Sequence, residues 1–305
     1  MSEGMTAEEL YSVIEESARL VGAPFSREKV WPILSAFRDG FGDSGVIFSL
    51  QAGEQVAELE YTVQVSPGIV DPYGCAVSNG FAEKTDHPVN TLLAEIQGLV
   101  SGSEYYIDCG IVGGFKKIYA NFPHSPQKVS KLAELPSMAG AVAENADFFA
   151  RYGLEDVVLI GVDYKNRTMN LYFQLPPGTA GNLESKTVLS MLRETKMHEP
   201  SEKMLAYAAK SYRIYTTHSW ESSDVHRISF GPRPRRDMDL SSLPARLEPK
   251  LEEFMRATPH DYAGDLINAS AAKWAPDYEV LDLAAYYRIS PMHLKALIAA
   301  GEAEG

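Results

Sequence analysis

Two amphipathic helices followed by two strands on a tight turn recur along this chain, and that repetition limits the architecture before any residue chemistry is considered. "TAEELYSVIEESARLVG" and "SREKVWPILSAFRDGF" have helical periodicity, each opened by a Thr or Ser cap with Glu close behind. "VIFSLQAG" and "AELEYTVQV" then alternate as strands around a short Gly-containing turn. The order returns in "DPYGCAVSNGF", "HPVNTLLAEIQGLV", "EYYIDCGIV" and "FKKIYANF", and again in "AGAVAENADFFARYG", "VVLIGVDY" and "TMNLYFQL". "NLESKTVLSMLRETK", "SEKMLAYAAK", "SYRIYTTHSW" and "VHRISFGPR" make a fourth round; "ARLEPKLEEFMRAT", a weak strand near "YAGDLINASAAKW" and "EVLDLAAYYRIS" make a fifth. A period of roughly 55 residues, repeated about five times, announces a repeat-built architecture.

Strands joined by tight turns pair antiparallel, and about ten such strands curl rather than stay open. Alternation shows which face turns inward. Glu58, Glu60, Thr62 and Gln64 share one face of their strand, opposite Leu59, Tyr61, Val63 and Val65. Thr168, Asn170 and Tyr172 likewise oppose Met169, Leu171 and Phe173, and Arg213, Tyr215, Thr217 and Ser219 oppose Ile214, Thr216, His218 and Trp220. An apolar outer face requires covering helices, which each repeat supplies, so the polar and aromatic face lines the lumen. The expectation is an α+β fold: a ten-strand antiparallel β-barrel with a solvent-filled lumen, surrounded by α-helices, in one domain over residues 1–305. In "GGFKKIYANF" this places Lys117, Tyr119 and Asn121 inward, and Ile118, Ala120 and Phe122 outward, with adjacent Lys116 on the outward side at the strand entry.

Composition narrows the partners. A formal net charge of -13 argues against nucleic acid and against an anionic membrane surface. The N-terminus "MSEGMTAEEL" has no apolar core of a secretory signal, and no apolar run is long enough to span a bilayer. With only Cys75 and Cys109, a disulfide framework is not expected, and the chain reads as cytoplasmic.

The inward set combines Lys117, Arg213 and Arg227 with Asn170, Tyr119, Tyr172, Tyr215 and Tyr286. Cations among neutral donors inside a protein call for an anionic ligand, and phosphate oxygens suit Arg and Lys. No P-loop or G-x-G-x-x-G follows a strand, and no D-D-x-x-D run is present. Tyrosine faces stabilise a transient cation, so an allylic diphosphate satisfies both halves of the lumen. The opposing reading is a structural network in which Glu58 and Glu60 neutralise the cations and the tyrosines fill space. The seven histidines lack metal-ligand spacing, no G-x-S-x-G or Cys-His signature supports covalent catalysis, and "RPRRD" at 233–237 reads as a solvated loop.

The strings "GGFKKIYANFP", "PSMAGAVAENADFFARYGL", "VDYKNRTMNLYF", "SYRIYTTHSWESSDVHRISF" and "AAYYRIS" resemble the soluble aromatic prenyltransferases of bacterial secondary metabolism, the ABBA or prenyltransferase-barrel family. The resemblance spans nearly the whole chain and implies the same ten-strand barrel. It implies transfer of a dimethylallyl or geranyl group from its diphosphate to an electron-rich aromatic acceptor, by electrophilic aromatic substitution, in a monomer. Lys117, Asn170, Tyr215 and Arg227 match positions that hold the diphosphate, and Tyr119 and Tyr172 match residues lining the prenyl chain. Tyr286 and His293 match the acceptor end, and Arg213, Asn121 and Thr62 complete the candidate substrate-binding set. Glu60 is the candidate magnesium ligand, standing where magnesium-dependent relatives have Asp, so no cofactor is required and magnesium is helpful but not essential. Asn166 and Asp282 stand where better-known members carry lysines, which keeps open an alternative: a non-catalytic barrel that binds or shuttles a phenolic metabolite or prenyl diphosphate.

Overall fold

In the computed structural model, residues 4–41, 45–52, 58–65, 71–100 and 104–289 are described. Ten strands form the wall: β1 Val46–Ala52, β2 Glu60–Val65, β3 Glu104–Gly110, β4 Gly114–Asn121 and β5 Asp156–Asp163, then β6 Thr168–Gln174, β7 Arg213–Ser219, β8 Arg227–Gly231, β9 Ile267–Ala275 and β10 Tyr278–Arg288. Each pairs antiparallel with its sequence neighbours, and β10 pairs with β1, so the sheet closes on itself with no free edge among these strands. The expected α+β barrel is the observed one. Two pairs of residues, Gln127–Lys128 and Arg235–Arg236, add short extra strands against β5 and β9. The second belongs to the basic run expected to be a solvated loop; its backbone instead extends the sheet.

Helices α1 Ala7–Val21, α2 Arg27–Phe37, α3 Pro72–Ser78 and α4 Val89–Leu99 precede the first two hairpins in pairs, as the repeat requires. The Thr6 hydroxyl accepts from the Glu9 amide at 3.1 Å while the Glu9 carboxylate accepts from the Thr6 amide at 2.8 Å, a reciprocal cap that fixes the start of α1. Ser26 sits at the cap position of α2, but its carbonyl rather than its hydroxyl takes the first helical amides. The third repeat is cut shorter than its periodicity suggests, into α5 Val129–Leu132, α6 Ala139–Ala143 and α7 Ala146–Arg151. Helices α8 Ser185–Glu194, α9 Glu202–Ala208 and α10 Pro249–Ala257 complete the ring. None of the described helices is long and apolar enough to cross a membrane.

The hydrophobic core lies between barrel and helices. Tyr61, Val63, Ile118, Leu171, Phe173 and Leu283 point out of the wall and are fully buried, together with Ile14, Phe37, Leu92, Phe149, Val188 and Phe254 from the helices. Phe149 of α7, for example, meets Phe173 at 5.1 Å and His218 at 5.8 Å between ring centroids. With the apolar demand met outside, the interior is free to be polar.

One expectation on β4 fails. Register runs Ile107 to Ile118 and Asp108 to Lys117, then Cys109 to Phe115, so Lys116 is an extra residue in the ladder. The bulge breaks the alternation, and both lysines reach the carboxylates of the lumen instead of facing opposite ways.

His218, on the outward face, shows what burial does there. Desolvation, helped by nearby His226, lowers its pKa from 6.5 to about 3, and its Nε2 hydrogen-bonds Thr216 Oγ1 at 2.7 Å. Below pH 6.5 the unfolded chain takes up a proton that the folded one refuses, so stability is full above that pH and falls toward pH 3. Between pH 7 and 5 this amounts to about 2 kcal/mol. Chemical denaturation at the two pH values should show His218→Leu losing less stability than the wild type by about that amount; equal losses would mean the imidazole is not held neutral.

Candidate active site

The ends of the lumen differ in chemistry. At the end where the β3–β4 and β5–β6 turns lie, Lys117 Nζ sits 3.6 Å from Asp108 Oδ2 and 3.8 Å from Asp163 Oδ2. These two carboxylates are 2% and 0% exposed, and each is held by other donors. Thr62 Oγ1 donates to Asp108 at 3.0 Å, and the Asn166 amide and side chain donate to Asp163 at 2.8 and 2.9 Å. Lys116 Nζ lies on Glu60, and Lys273 Nζ lies 2.5 Å from Asp282. Arg227 opens β8 in the same region, opposite Thr217, and its positive charge is felt by Lys273. Four cations thus face four carboxylates, but Arg227 has no carboxylate within ion-pair distance among the described residues.

Burial and pairing pull these groups in opposite directions. Burial alone lowers the pKa of the Lys117 ammonium, but Asp108, Asp163 and Glu60 outweigh it and raise the value, so Lys117 stays charged. Burial raises Glu60, but Lys116 and Lys117 hold it below the usual carboxylate range. Asp108 is raised, by burial first and by the Glu60 charge second, and Lys117 offsets only part of this. Thr168 Oγ1, Asn170 Oδ1 and Asp282 Oδ1 are buried without hydrogen-bond partners among the described residues, which marks the region as built for a polar guest.

Next along the lumen comes a stack of tyrosines. Tyr119 and Tyr172 meet edge to face at 6.0 Å, and Tyr172 and Tyr215 lie 4.5 Å apart. Glycine on the neighbouring strands makes room for two of these rings. A Cβ at Gly161 would lie 2.8 Å from Tyr119 Cε1, and one at Gly231 would collide with the Tyr215 hydroxyl.

The far end is polar in another way. Arg213 Nε donates to Gln174 Oε1 at 3.3 Å, and its guanidinium lies 5.0 Å from the Tyr212 ring centroid. Tyr286 lies close enough to Tyr212 and Arg213 to feel both. Asn121 Nδ2 donates to Glu104 Oε2 at 3.0 Å, and the Tyr106 hydroxyl approaches the same oxygen at 3.5 Å.

The structure therefore brings Lys117, Arg227, Asn170, Thr62 and Glu60 to one end, Tyr119, Tyr172 and Tyr215 to the middle, and Arg213, Asn121 and Tyr286 to the other. Arg213, grouped in the sequence with Lys117 and Arg227 as one inward set, lies apart from them, beyond the tyrosines. His293 lies outside the described residues. Asp108, Asp163 and Lys273 escaped the sequence reading, although 104, 106 and 108 alternate inward as plainly as 58, 60 and 62. Lys273 is harder to see, a single cation in the alanine-rich "INASAAKWA". A groove of about 340 Å³ lined by Phe81, Glu83, Phe115, Tyr164, Lys165 and Arg167 includes none of the lumen side chains named above.

Removing Lys117 strands two buried carboxylates. Lys117→Met should lower the unfolding free energy by about 3–5 kcal/mol, and adding Asp108→Asn should recover part of it. Denaturant melts of the single and double variants check this; additive losses would mean that the groups do not interact.

The chain matches the family described as Aromatic prenyltransferase Orf2 over residues 5–295. It is 40% identical over 256 residues to a flaviolin linalyltransferase of Streptomyces virginiae, covering 82% of each chain. It is 40% identical over 267 residues to a 5,10-dihydrophenazine-1-carboxylate 9-dimethylallyltransferase of Streptomyces anulatus, covering 87% of this chain and 88% of the relative. It is 38% identical over 284 residues to a furaquinocin biosynthesis prenyltransferase of Streptomyces sp. (strain KO-3988), covering 92% and 89%. In fold it resembles the prenyltransferase PriB, with a TM-score of 0.54 at 12% identity over 94% of this chain and 98% of that one. NotF, solved with brevianamide F and DMSPP, gives 0.52 at 11% over 94% and 92%. A closed barrel with charge at one end, aromatic rings in the middle and this extent of sequence identity lead to one conclusion: the chain belongs to the aromatic prenyltransferase Orf2 family.

Proposed function

We propose that the lumen takes an allylic diphosphate, dimethylallyl or geranyl, with its phosphates at the Lys117 end, and passes the prenyl group to an electron-rich phenolic or hydroxynaphthalene-like acceptor at the Arg213 end. The observation that carries this is the polarity of the lumen: a cage of paired lysines with Arg227 at one end, then a tyrosine stack, then an end holding Arg213 on the neutral Gln174. The allylic C–O bond breaks and its electron pair leaves with the diphosphate. Lys117, Arg227, Lys273 and Asn170 stabilise that charge where it develops; the Tyr215 hydroxyl, expected among them, points instead toward Gly231 at the Arg213 end. The faces of Tyr119 and Tyr172 shield the cation from water. The acceptor ring attacks, a C–C bond forms, and the ring proton leaves to water. All the lumen residues named come from one chain of residues 1–305, so the reading needs no second copy and treats the chain as one domain. The two free cysteines suit the reducing cytoplasm.

Magnesium was expected to be helpful but not essential, with Glu60 as its ligand. The residues do not make a good site for it: the Glu60 carboxylate is already engaged by Lys116, and an ion there would have to displace that ammonium. The shuttle alternative rested on lysines missing at 166 and 282. Lys273, set beside Asp282, and Lys116 on the bulge bring cations to the same end, and the similarity to named transferases supports turnover over shuttling.

The experiment is incubation with dimethylallyl and geranyl diphosphates and a panel of hydroxynaphthalenes, with mass spectrometry for the added prenyl mass. Product should form, and a substantial fraction of the rate should survive excess EDTA. Donor consumed by none of the acceptors, or bound without product, would contradict the proposal.

Charge balance predicts opposite signs for two variants. Asp108→Asn removes a buried negative charge beside Lys117 and should tighten inorganic pyrophosphate about fivefold. Arg227→Gln should weaken it tenfold or more, roughly the loss of one charge-assisted hydrogen bond. Calorimetric titration reads both, and changes of the same sign would refute the cage as the phosphate site.

A further inference from the structure

We propose that Arg213 anchors a carboxylate on the aromatic acceptor, so that the preferred acceptor is an aromatic acid rather than a neutral phenol. The proposal deepens the transferase reading and rests on it for the acceptor's place at this end of the barrel.

A guanidinium keeps its charge at every physiological pH, and holding it inside a protein is costly unless it is paired. The lumen lysines follow that rule: Lys116 on Glu60, Lys117 between Asp108 and Asp163, Lys273 on Asp282. Arg213 does not. Among the described residues its one hydrogen bond is from Nε to the neutral Gln174 Oε1, and its face rests on the Tyr212 ring. Among the described residues no carboxylate comes within ion-pair distance of it. The acid at the same end, Glu104, is occupied by Asn121 and Tyr106. Four of the five guanidinium N–H donors are thus left over, in a planar fork whose geometry fits a carboxylate two bonds at a time.

The neighbours show which molecule would bring the anion. Tyr215, Tyr286 and Tyr172 all lie within electrostatic reach of Arg213, so the guanidinium flanks the rings against which an acceptor would stack. The Arg233 guanidinium lies 5.2 Å from the ring centroid of the same Tyr212, adding positive potential beside it. Among the described residues the lumen therefore holds two cations without carboxylates, Arg227 and Arg213, separated by the tyrosine stack. One ligand supplies a diphosphate to the first. A second anion, on the acceptor, answers the second.

The test compares two near-isosteric acceptors, a hydroxynaphthoic acid and its carboxamide, by calorimetric binding to the full chain and by kcat/KM for prenylation. The wild type should favour the acid by about tenfold or more, the size of a charge-assisted pair. Arg213→Gln should bring the acid-to-amide ratio near one, and Arg213→Lys should keep part of it. Equal binding of acid and amide by the wild type overturns the proposal without reference to any variant. So does an Arg213→Gln variant whose affinity for pyrophosphate falls as far as its affinity for the acid, which would move Arg213 to the donor. The two readings fail separately. Preference for the acid with no prenylated product leaves the anchor standing and defeats the transferase; product from both acceptors at equal kcat/KM does the reverse.

Discussion

A cation inside a protein must be answered by an anion, and the arrangement of this lumen follows from how Lys117 is answered. Asp108 and Asp163 hold it from the strands on either side of β4, and Thr62 and Asn166 hold the carboxylates in turn. This requires three adjacent strands to present their polar faces to one interior space. They do so because the apolar faces of the same strands are buried under helices, through residues such as Ile107, Ile118 and Val162. The inverted barrel and the ion cage are one constraint seen from its two sides.

A cage balanced in this way is assembled before any ligand arrives. In the proposed reading an entering diphosphate exchanges carboxylate partners for phosphate oxygens rather than recruiting charges from solvent, which keeps reorganisation small. Balance also has a cost, since every carboxylate that holds a lysine repels the diphosphate. Asp108, whose proton affinity burial has already raised, is the group best placed to relieve that repulsion. Arg227 supplies charge that no described carboxylate cancels.

Most of the fold was legible in the sequence because period-two alternation against helical cover leaves one way to close the sheet. All ten strands fall where the alternation put them, within a few residues. The site was legible to the extent that it follows alternation: Tyr119, Asn170, Tyr172 and Tyr215 face inward as counted. It was lost where alternation breaks or where depth matters. The bulge at Lys116 turns an outward residue inward, and no spacing rule announces a bulge. Arg213 and Lys117 share the inward face, but strand register places them at different ends, and register between distant strands is not written in local sequence. Lys273 on β9 and Asp282 on β10 illustrate the same limit. Read alone, Asp282 marks a missing lysine; paired across strands, it belongs to one supplied by its neighbour.

The proposed function gives the lumen a direction: phosphate at the Lys117 end, prenyl chain along the tyrosines, acceptor by Arg213. A crystal structure with a non-hydrolysable thiolo analogue of the allylic diphosphate tests it most directly. Phosphate oxygens should lie within hydrogen-bond distance of Lys117, Arg227 and Lys273, with the prenyl carbons against Tyr119 and Tyr172. Phosphates on Arg213, with the chain running back toward Asp108, would contradict it.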